Sequence, residues 1–249
     1  MKKEWIVIAD AHLGTKKKDT ERLADFIRSL DPKHQEIVIL GDLFHVWAGP
    51  SKYHTGAVRL LLNELRRFSR LGGKTHFVVG NRDIFFLKGN TSTTVDLPFD
   101  TIAGNFLHLR MGKKKVSFIH GDTVNSRDWK YLCWRKIVRH PLFKALFELI
   151  PPLYAQKIML VLERKLKRTN SEFRIFFPKQ EWERFLARWG DDFRSDLLIV
   201  GHFHPEKPIF SQSKSTTGIV LPDWHTEPRY LKIDQNGTYR LMKHQTKSG

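Results

Sequence analysis

The sequence lacks the features of a secreted or membrane-spanning protein. Its single cysteine, Cys133, excludes an internal disulfide and fits a reducing compartment. No apolar stretch reaches the ~18 residues that a bilayer-spanning helix needs. The run Trp5–Ala9 is also too short for the hydrophobic region of a signal peptide. We therefore expect a cytoplasmic protein, which could rest as a peripheral protein on the inner face of the cytoplasmic membrane.

Acidic residues are scarce relative to basic ones. The chain has 26 Asp and Glu against 43 Lys and Arg, a net charge of +17. Such a balance favours an anionic partner, and nucleic acid, anionic lipid headgroups or a phosphorylated metabolite would each qualify. Charge alone does not choose among them, and a basic but otherwise ordinary soluble protein is the alternative. The excess is densest in residues 123–195, which hold 16 Lys and Arg against 8 Asp and Glu.

Polar peptides follow five short apolar runs that are typical of buried strands. The runs are Ile6–Ala9, Ile37–Leu40, Phe77–Val79, Val116–Ile119 and Leu197–Val200. The peptides are Asp10-Ala11-His12, Gly41-Asp42, Gly80-Asn81-Arg82-Asp83, His120-Gly121-Asp122 and Gly201-His202-Phe203-His204. Because a parallel α/β sheet presents its active-site groups at the carboxyl ends of its strands, these loops should converge on one edge.

The remaining pattern predicts an α/β core with an insertion. Helical spacing over Asp19–Leu30 and His54–Leu71, between strands, gives two βαβ units. Within 123–195 we predict three helical pieces, at about Asp128–Ile150, Leu153–Lys167 and Lys179–Trp189. The predicted division is a core of residues 1–122 and 196–249 and a helical lid of residues 123–195. The apolar side chains of this lid are either an ordinary buried face or the underside of a cap over the site.

The candidate metal ligands are carboxylate, amide and imidazole groups: Asp10, His12, Asp42, Asn81, His120, His202 and His204. Without thiolates, this set disfavours a structural zinc site and suits Mn²⁺, Fe or Zn in a catalytic role. Residues i and i+2 of an extended segment point the same way, so two of the motifs could each straddle a pair of metals. Two cations about 3.5–4 Å apart can hold a bridging hydroxide that attacks phosphorus. A lone Asp or His at a strand end is more often a turn former, so the argument depends on five matches in order.

In this order the peptides resemble the calcineurin-like metallophosphoesterase superfamily. The resemblance implies a four-layer α/β/β/α sandwich, here with a helical lid insertion. It assigns Asp10, His12, Asp42 and His204 to one metal. It assigns Asn81, His120 and His202 to the other, with Asp42 as the bridge.

Arg82 departs from most of the superfamily, which has a histidine after the asparagine. A guanidinium stays protonated, so it cannot serve as a titrating general acid. It can clamp a phosphate and stabilise charge in the transition state. Arg82 is therefore a predicted catalytic residue, and Asp42 is the other. A pyrophosphate is the favoured substrate, because its phosphate leaving group needs no protonation.

Within the superfamily, Gly80-Asn81-Arg82-Asp83 is similar to the motif of the UDP-2,3-diacylglucosamine hydrolases of lipid A biosynthesis. Three further stretches are similar to that family: Gly41-Asp42-Leu43-Phe44 with Trp47, His120-Gly121-Asp122-Thr123 with Asp128, and Trp224-His225-Thr226-Glu227. The resemblance implies hydrolysis of the substrate's pyrophosphate to UMP and 2,3-diacylglucosamine 1-phosphate. It also implies two Mn²⁺ ions per chain, a lid over the acyl chains, and substrate contacts at Asn81, Arg82, Asp128 and His202.

Three departures bear on the substrate. Ala48-Gly49-Pro50-Ser51 stands where the family has paired acids, Arg168–Lys179 has no clear copy of its substrate pattern, and the last motif contains Phe203. A phosphodiesterase or nuclease is the alternative enzyme, although we expect no nucleic-acid partner, because the basic excess is concentrated in an aromatic and aliphatic segment. A non-catalytic interaction module ranks last, because all seven ligand positions are filled. The sequence predicts no oligomeric state.

Overall fold

The structure, a computed structural model, describes residues 3–14, 17–48, 51–84, 97–155, 157–162 and 177–245. The strands of the first half are β1 (Glu4–Ile8), β2 (Gln35–Ile39), β3 (Trp47–Ala48), β4 (Lys74–Val78), β5 (Asp83–Ile84), β6 (Thr101–Ala103), β7 (Phe106–Met111) and β8 (Lys114–Ile119). Those of the second half are β9 (Leu197–Val200), β10 (Ile209–Ser213), β11 (Thr216–Val220), β12 (Arg229–Ile233) and β13 (Tyr239–Lys243). The helices are α1 (Lys17–Ser29), α2 (Gly56–Arg70), α3 (Trp129–Val138), α4 (Pro141–Glu148), α5 (residues 152–155 and 157–162) and α6 (Lys179–Phe193).

Two sheets face each other between layers of helices. The first sheet has the order β13-β12-β1-β2-β4-β6, and its strands β1, β2, β4 and β6 are parallel. The second has the order β10-β11-β9-β8-β7, with β8, β9 and β11 parallel. The strands that precede the polar peptides are therefore neighbours: β1, β2 and β4 in one sheet, β8 and β9 in the other.

Successive side chains of a strand point to opposite faces of its sheet, so each strand contributes side chains to two cores. In β1, Ile6 and Ile8 pack in the core that contains the apolar faces of α1 and α2, whereas Trp5 and Val7 pack between the sheets. On the far side, Trp182 of α6 packs against the second sheet in a third core. The layers are therefore α/β/β/α, and the predicted fold class is confirmed.

The long helix predicted over Asp128–Ile150 is wrong in one respect, because it is two helices. Helix α3 ends at Val138 and α4 begins at Pro141. Proline lacks an N–H and disfavours helical geometry in the residue before it. His140 accordingly has the extended dihedrals φ −73° and ψ 136°. The strands β3, β5 and β6 were also not predicted, since two or three residues give no periodic signal.

The predicted insertion runs through α3, α4, α5 and α6, between β8 and β9. Its helix α6 forms the fourth layer of the fold. Its helices α4 and α5 pack beside β3, where Lys52 Nζ donates to the carbonyls of Glu148 and Ile150 at 2.6 and 2.7 Å. The division into core and lid remains a prediction. No single described helix is long and apolar enough to cross a bilayer; α4 and α5 together have that length and composition but are bent by 112°.

Candidate metal centre

The five polar peptides meet at one edge of the sandwich. His12 N donates to the carbonyl of Asp42 at 3.0 Å, which joins the loops after β1 and β2. His202 N donates to Asp10 Oδ2 at 2.7 Å, which joins the second sheet to the first. These contacts follow from the strand order, because the parallel strands end side by side.

The first group of candidate ligands consists of Asp10, His12 and His204. The Nε2 atoms of the two histidines are 3.2 Å apart, and Asp10 Oδ1 lies 3.4 Å from His204 Nε2 and 3.9 Å from His12 Nε2. Asp10 and His12 are buried. Asp10 Oδ1 makes no hydrogen bond to any described residue, although buried polar atoms are normally satisfied.

The second group consists of Asp10, Asp42 and His120. His120 Nε2 lies 3.6 Å from Asp42 Oδ1 and 2.8 Å from Asn81 Oδ1. His202 Nδ1 is 3.1 Å from the same Asn81 oxygen. The structure thus brings all seven predicted ligands together, and Asp10 is common to both groups.

This arrangement fits a pair of divalent cations. Carboxylate, amide and imidazole groups converge there without a thiolate, as catalytic rather than structural metal sites do. Asp10 is the residue that the two groups share, and its buried Oδ1 has no hydrogen-bond partner among the described residues. A cation between the acceptors would satisfy it. Which residue binds which ion remains a prediction.

Backbone strain is concentrated at the same residues. Seven described non-glycine residues have positive φ, and five of them are predicted ligands: Asp10 (51°), His12 (43°), Asp42 (48°), His202 (71°) and His204 (46°). Left-handed backbone is costly for such residues and clusters at functional sites. The extended geometry assumed for the i and i+2 pairs is therefore wrong. His202 and His204 still lie in different clusters, but strained turns rather than pleated strands place them there.

Two glycines allow the loops to approach this closely. A Cβ on Gly41 would lie 2.6 Å from Gly80 Cα and 2.9 Å from His120 Nδ1. A Cβ on Gly80 would lie 2.3 Å from Asp42 Oδ1. All three distances are shorter than non-bonded contacts permit, so a side chain at either position would separate the candidate ligands.

Asp83 connects the loops after β2 and β4 by hydrogen bonds, a role that the sequence did not predict. Its buried Oδ2 accepts from Gly80 N at 2.8 Å and from Asp42 N at 2.9 Å. Burial and the neighbouring Asp42 raise the pKa of Asp83 to about 7, against the effect of the two N–H donors. The only sequence signal was its place at the end of the Gly80-Asn81-Arg82-Asp83 peptide.

The electrostatics of the site favour cations. Burial acts to lower the pKa of His120, but the nearby carboxylates, led by Asp42 and Asp10, outweigh it and raise the pKa to about 9. Burial and the proximity of His120 lower the pKa of His202 to about 3, so this imidazole is neutral. Burial would raise the pKa of Asp10, but three histidines hold it below its usual range, so this group stays ionised. Because ionised carboxylates and neutral imidazoles are the forms that bind metals, a metal ion at His120 would take the place of the proton that these carboxylates stabilise.

A family model for calcineurin-like phosphoesterases matches residues 5–206. The chain belongs to the calcineurin-like phosphoesterase family. It is 30% identical to the UDP-2,3-diacylglucosamine hydrolase of Aliivibrio fischeri (strain MJ11), over 97% of this chain and 99% of that protein. It is 29% identical to the protein of the same name from Histophilus somni (strain 2336), over 94% of this chain and 98% of that protein. Among solved structures, Vacuolar Protein Sorting 29 from Cryptosporidium parvum matches with a TM-score of 0.47 and 12% identity, over 98% of this chain and 97% of that one.

In this calcineurin-like phosphoesterase, Arg82 lies against the predicted bridging carboxylate. Its backbone N–H donates to Asp42 Oδ1 at 2.9 Å, and its Nε lies 3.5 Å from Asp42 Oδ2. Its Nη1 donates to the carbonyl of His45 at 3.2 Å. The guanidinium is therefore held beside the candidate ligands by the loop after β2.

Other predicted and missed residues lie around this phosphoesterase centre. Asp128 is exposed at the start of α3, where its Oδ1 accepts from Tyr131 N at 3.1 Å, so it caps that helix. Its predicted substrate contact stays a prediction. Of the predicted segment Arg168–Lys179, residues 168–176 lie outside the described residues. His45, which the sequence analysis missed, stacks on His12 with ring centroids 6.0 Å apart.

Proposed function

We propose that this phosphoesterase hydrolyses the pyrophosphate of UDP-2,3-diacylglucosamine to UMP and 2,3-diacylglucosamine 1-phosphate. The observation that carries the proposal is Arg82, which directly follows the candidate ligand Asn81 and packs on the candidate ligand Asp42. The names of relatives that match nearly the whole chain support the same substrate.

In this proposal Asp10, His12, Asp42 and His204 hold one cation. Asn81, His120 and His202 hold the other, with Asp42 shared. Mn²⁺ suits the mixed oxygen and nitrogen donors, and Fe or Zn are alternatives. Bound at these residues, the ions would supply Lewis acidity toward the phosphoryl oxygens and would lower the pKa of water near the phosphate. Asp42, the proposed shared carboxylate, lies beside Asp10, which is the residue common to both groups of candidate ligands, and its Oδ1 is 3.6 Å from His120 Nε2.

Arg82 binds the phosphate that leaves and stabilises the charge that develops on it. A guanidinium cannot donate its proton at any pH of interest, so this site favours a leaving group that departs without protonation. A phosphate ester of the sugar is such a group, whereas a simple alkoxide is not. Asn81 and His202 are the proposed phosphate contacts, and Asp128 at the start of α3 is the proposed contact to the rest of the substrate.

The helices of the predicted lid expose apolar side chains that suit a glycolipid at an anionic membrane surface. The exposed large groups on α3, α4, α5 and the turn between α4 and α5 are Trp129, Trp134, Ile137, Leu142, Leu146, Leu149, Leu153, Tyr154, Leu160 and Val161. Leu149 and Leu153, on either side of that turn, are 79% and 81% exposed. An apolar face within a basic segment binds anionic bilayers by partition and charge together. We propose peripheral binding to the inner face of the cytoplasmic membrane.

A substrate panel tests the activity. Protein loaded with Mn²⁺ should release UMP from UDP-2,3-diacylglucosamine, and a water-soluble UDP-sugar without acyl chains should be turned over with a much higher KM. Simple phosphodiesters and single-stranded DNA should be hydrolysed slowly. Efficient cleavage of DNA with no UMP release from the glycolipid would contradict the proposal and show that the protein is a nuclease.

A vesicle experiment tests the membrane surface. The double variant Leu149→Ser, Leu153→Ser should sediment less with vesicles containing phosphatidylglycerol than the wild type does. Leu71→Ser is the matched control, because Leu71 is 50% exposed but lies at the end of α2. Equal sedimentation of all three proteins would exclude the turn between α4 and α5 from the membrane contact.

A further inference from the structure

Helix α3 and its C-cap residue Arg139 present three polar side chains to the loops that carry Asn81 and His120. Tyr131, Arg135 and Arg139 are spaced four residues apart, so they lie on one face of the helix. We propose that this polar stripe is a positioning device, which holds the loops of Asn81 and His120 at the separation that the second cation needs. The inference rests on the proposed two-metal function and goes beyond it, because it makes part of the predicted lid a support of the metal centre.

The first two members of the stripe hold the loop of His120. Arg135 Nε lies 2.7 Å from Asp122 Oδ2, and the Tyr131 hydroxyl donates to the same oxygen. Asp122 is buried and stands two residues after His120. Arg135 Nη2 also donates to Asn105 Oδ1 at 3.0 Å.

The third member holds the loop of Asn81. Arg139 Nη2 donates to the carbonyl of Gly80 at 3.1 Å and lies 3.4 Å from that of Val79. Its Nη1 donates to the carbonyl of Gly104 at 2.7 Å. The planar fork of a guanidinium fixes several acceptors at once, which a lysine ammonium does less rigidly. Arg139 thus bonds the peptide that immediately precedes Asn81.

The two loops meet again inside the site, where Asn81 Oδ1 is 2.8 Å from His120 Nε2. The stripe therefore hydrogen-bonds both loops, and the Asn81 and His120 side chains of those loops contact each other. Among the described residues, the hydrogen bonds of the three stripe side chains do not include Asp10, His12 or His204. Loss of the stripe should consequently affect one cation and spare the other.

The experiment measures Mn²⁺ binding to Arg135→Gln and Arg139→Gln by titration calorimetry, together with the paramagnetic resonance signal of a spin-coupled Mn²⁺ pair. Removing a residue that supports ligands typically weakens metal binding ~10–100-fold. We expect that loss for one of the two ions, unchanged affinity for the other, and loss of the coupled signal at limiting Mn²⁺. Arg139→Lys should recover part of the affinity. Lys136→Gln is the control, because it removes the same charge from an exposed position of the same helix.

The outcomes separate the inference from the proposed function. Wild-type affinity for both ions in Arg139→Gln would overturn the inference and leave the two-metal function intact. Equally weaker binding of both ions, together with a lower Tm, would also overturn the inference, because the stripe would then contribute only to the stability of the fold. A wild-type protein that binds fewer than two Mn²⁺ ions would overturn the proposed function itself.

Discussion

Asp83 offers a sharp test of how the metal loops are held. Its single oxygen Oδ2 accepts from the backbone N–H groups of Gly80 and Asp42, at 2.8 and 2.9 Å. Asp83→Ala would leave both donors buried without this acceptor. A buried donor that loses its partner costs about 1–3 kcal/mol, so the free energy of unfolding should fall by about 2–6 kcal/mol. For a domain of this size that lowers Tm by roughly 4–24 °C.

Asp83→Asn separates hydrogen bonding from charge. The asparagine Oδ1 can accept both N–H groups, and the variant also relieves the repulsion between Asp83 and Asp42 that raises the Asp83 pKa. Its Tm should therefore stay close to that of the wild type. Asp191→Ala is the control, because among the described residues the Asp191 side chain pairs with the exposed Lys214, and such a surface ion pair contributes about 0–1 kcal/mol. Scanning calorimetry measures all three, and equal losses in the Ala and Asn variants would refute the hydrogen-bond argument.

Three further predictions concern the site and the base of the sheet. Gly80→Ala places a Cβ 2.3 Å from Asp42 Oδ1, so it should lower bound Mn²⁺, measured by atomic emission; full occupancy would contradict the close approach. Arg82→Ala should reduce turnover about 10²–10³-fold, as expected for the loss of one charge-stabilising donor, with unchanged Mn²⁺ content; a neutral effect would remove Arg82 from the mechanism. Glu36, whose pKa is lowered to about 2 chiefly by the His76 imidazole 3.6 Å from its Oε2, contributes stability above its ordinary pKa of 4.5. That contribution is lost as the pH falls through about 2, so urea titrations should show a steeper acid loss in the wild type than in Glu36→Gln.

The sequence predicted the elements that bury apolar side chains. The strands before Asp10, Asp42, Asn81, His120 and His202 are apolar on both faces, which is the signature of a sheet covered on both sides. Their order was enough to predict that the loops meet at one edge. The helix break before Pro141 was also within reach of the sequence, because a proline reliably disfavours helical geometry in the residue before it.

The support of the site could not be predicted in the same way. The hydrogen bonds of Asp83 to Asp42 and of Arg139 to Gly80 join residues about 40–60 positions apart, and no local periodicity encodes them. The left-handed backbone at Asp10 and His202 likewise depends on neighbouring loops that over-determine it. Such contacts follow from the sheet order, which only the folded chain provides.

Anomalous diffraction from crystals grown with Mn²⁺ would locate the metal ions relative to the seven candidate ligands. We expect two peaks about 3.5–4 Å apart, the spacing of two-metal hydrolytic sites. One should lie among Asp10, His12 and His204 and the other among Asn81, His120 and His202, with Asp42 between them. A single peak, or peaks outside these side chains, would contradict the two-metal account.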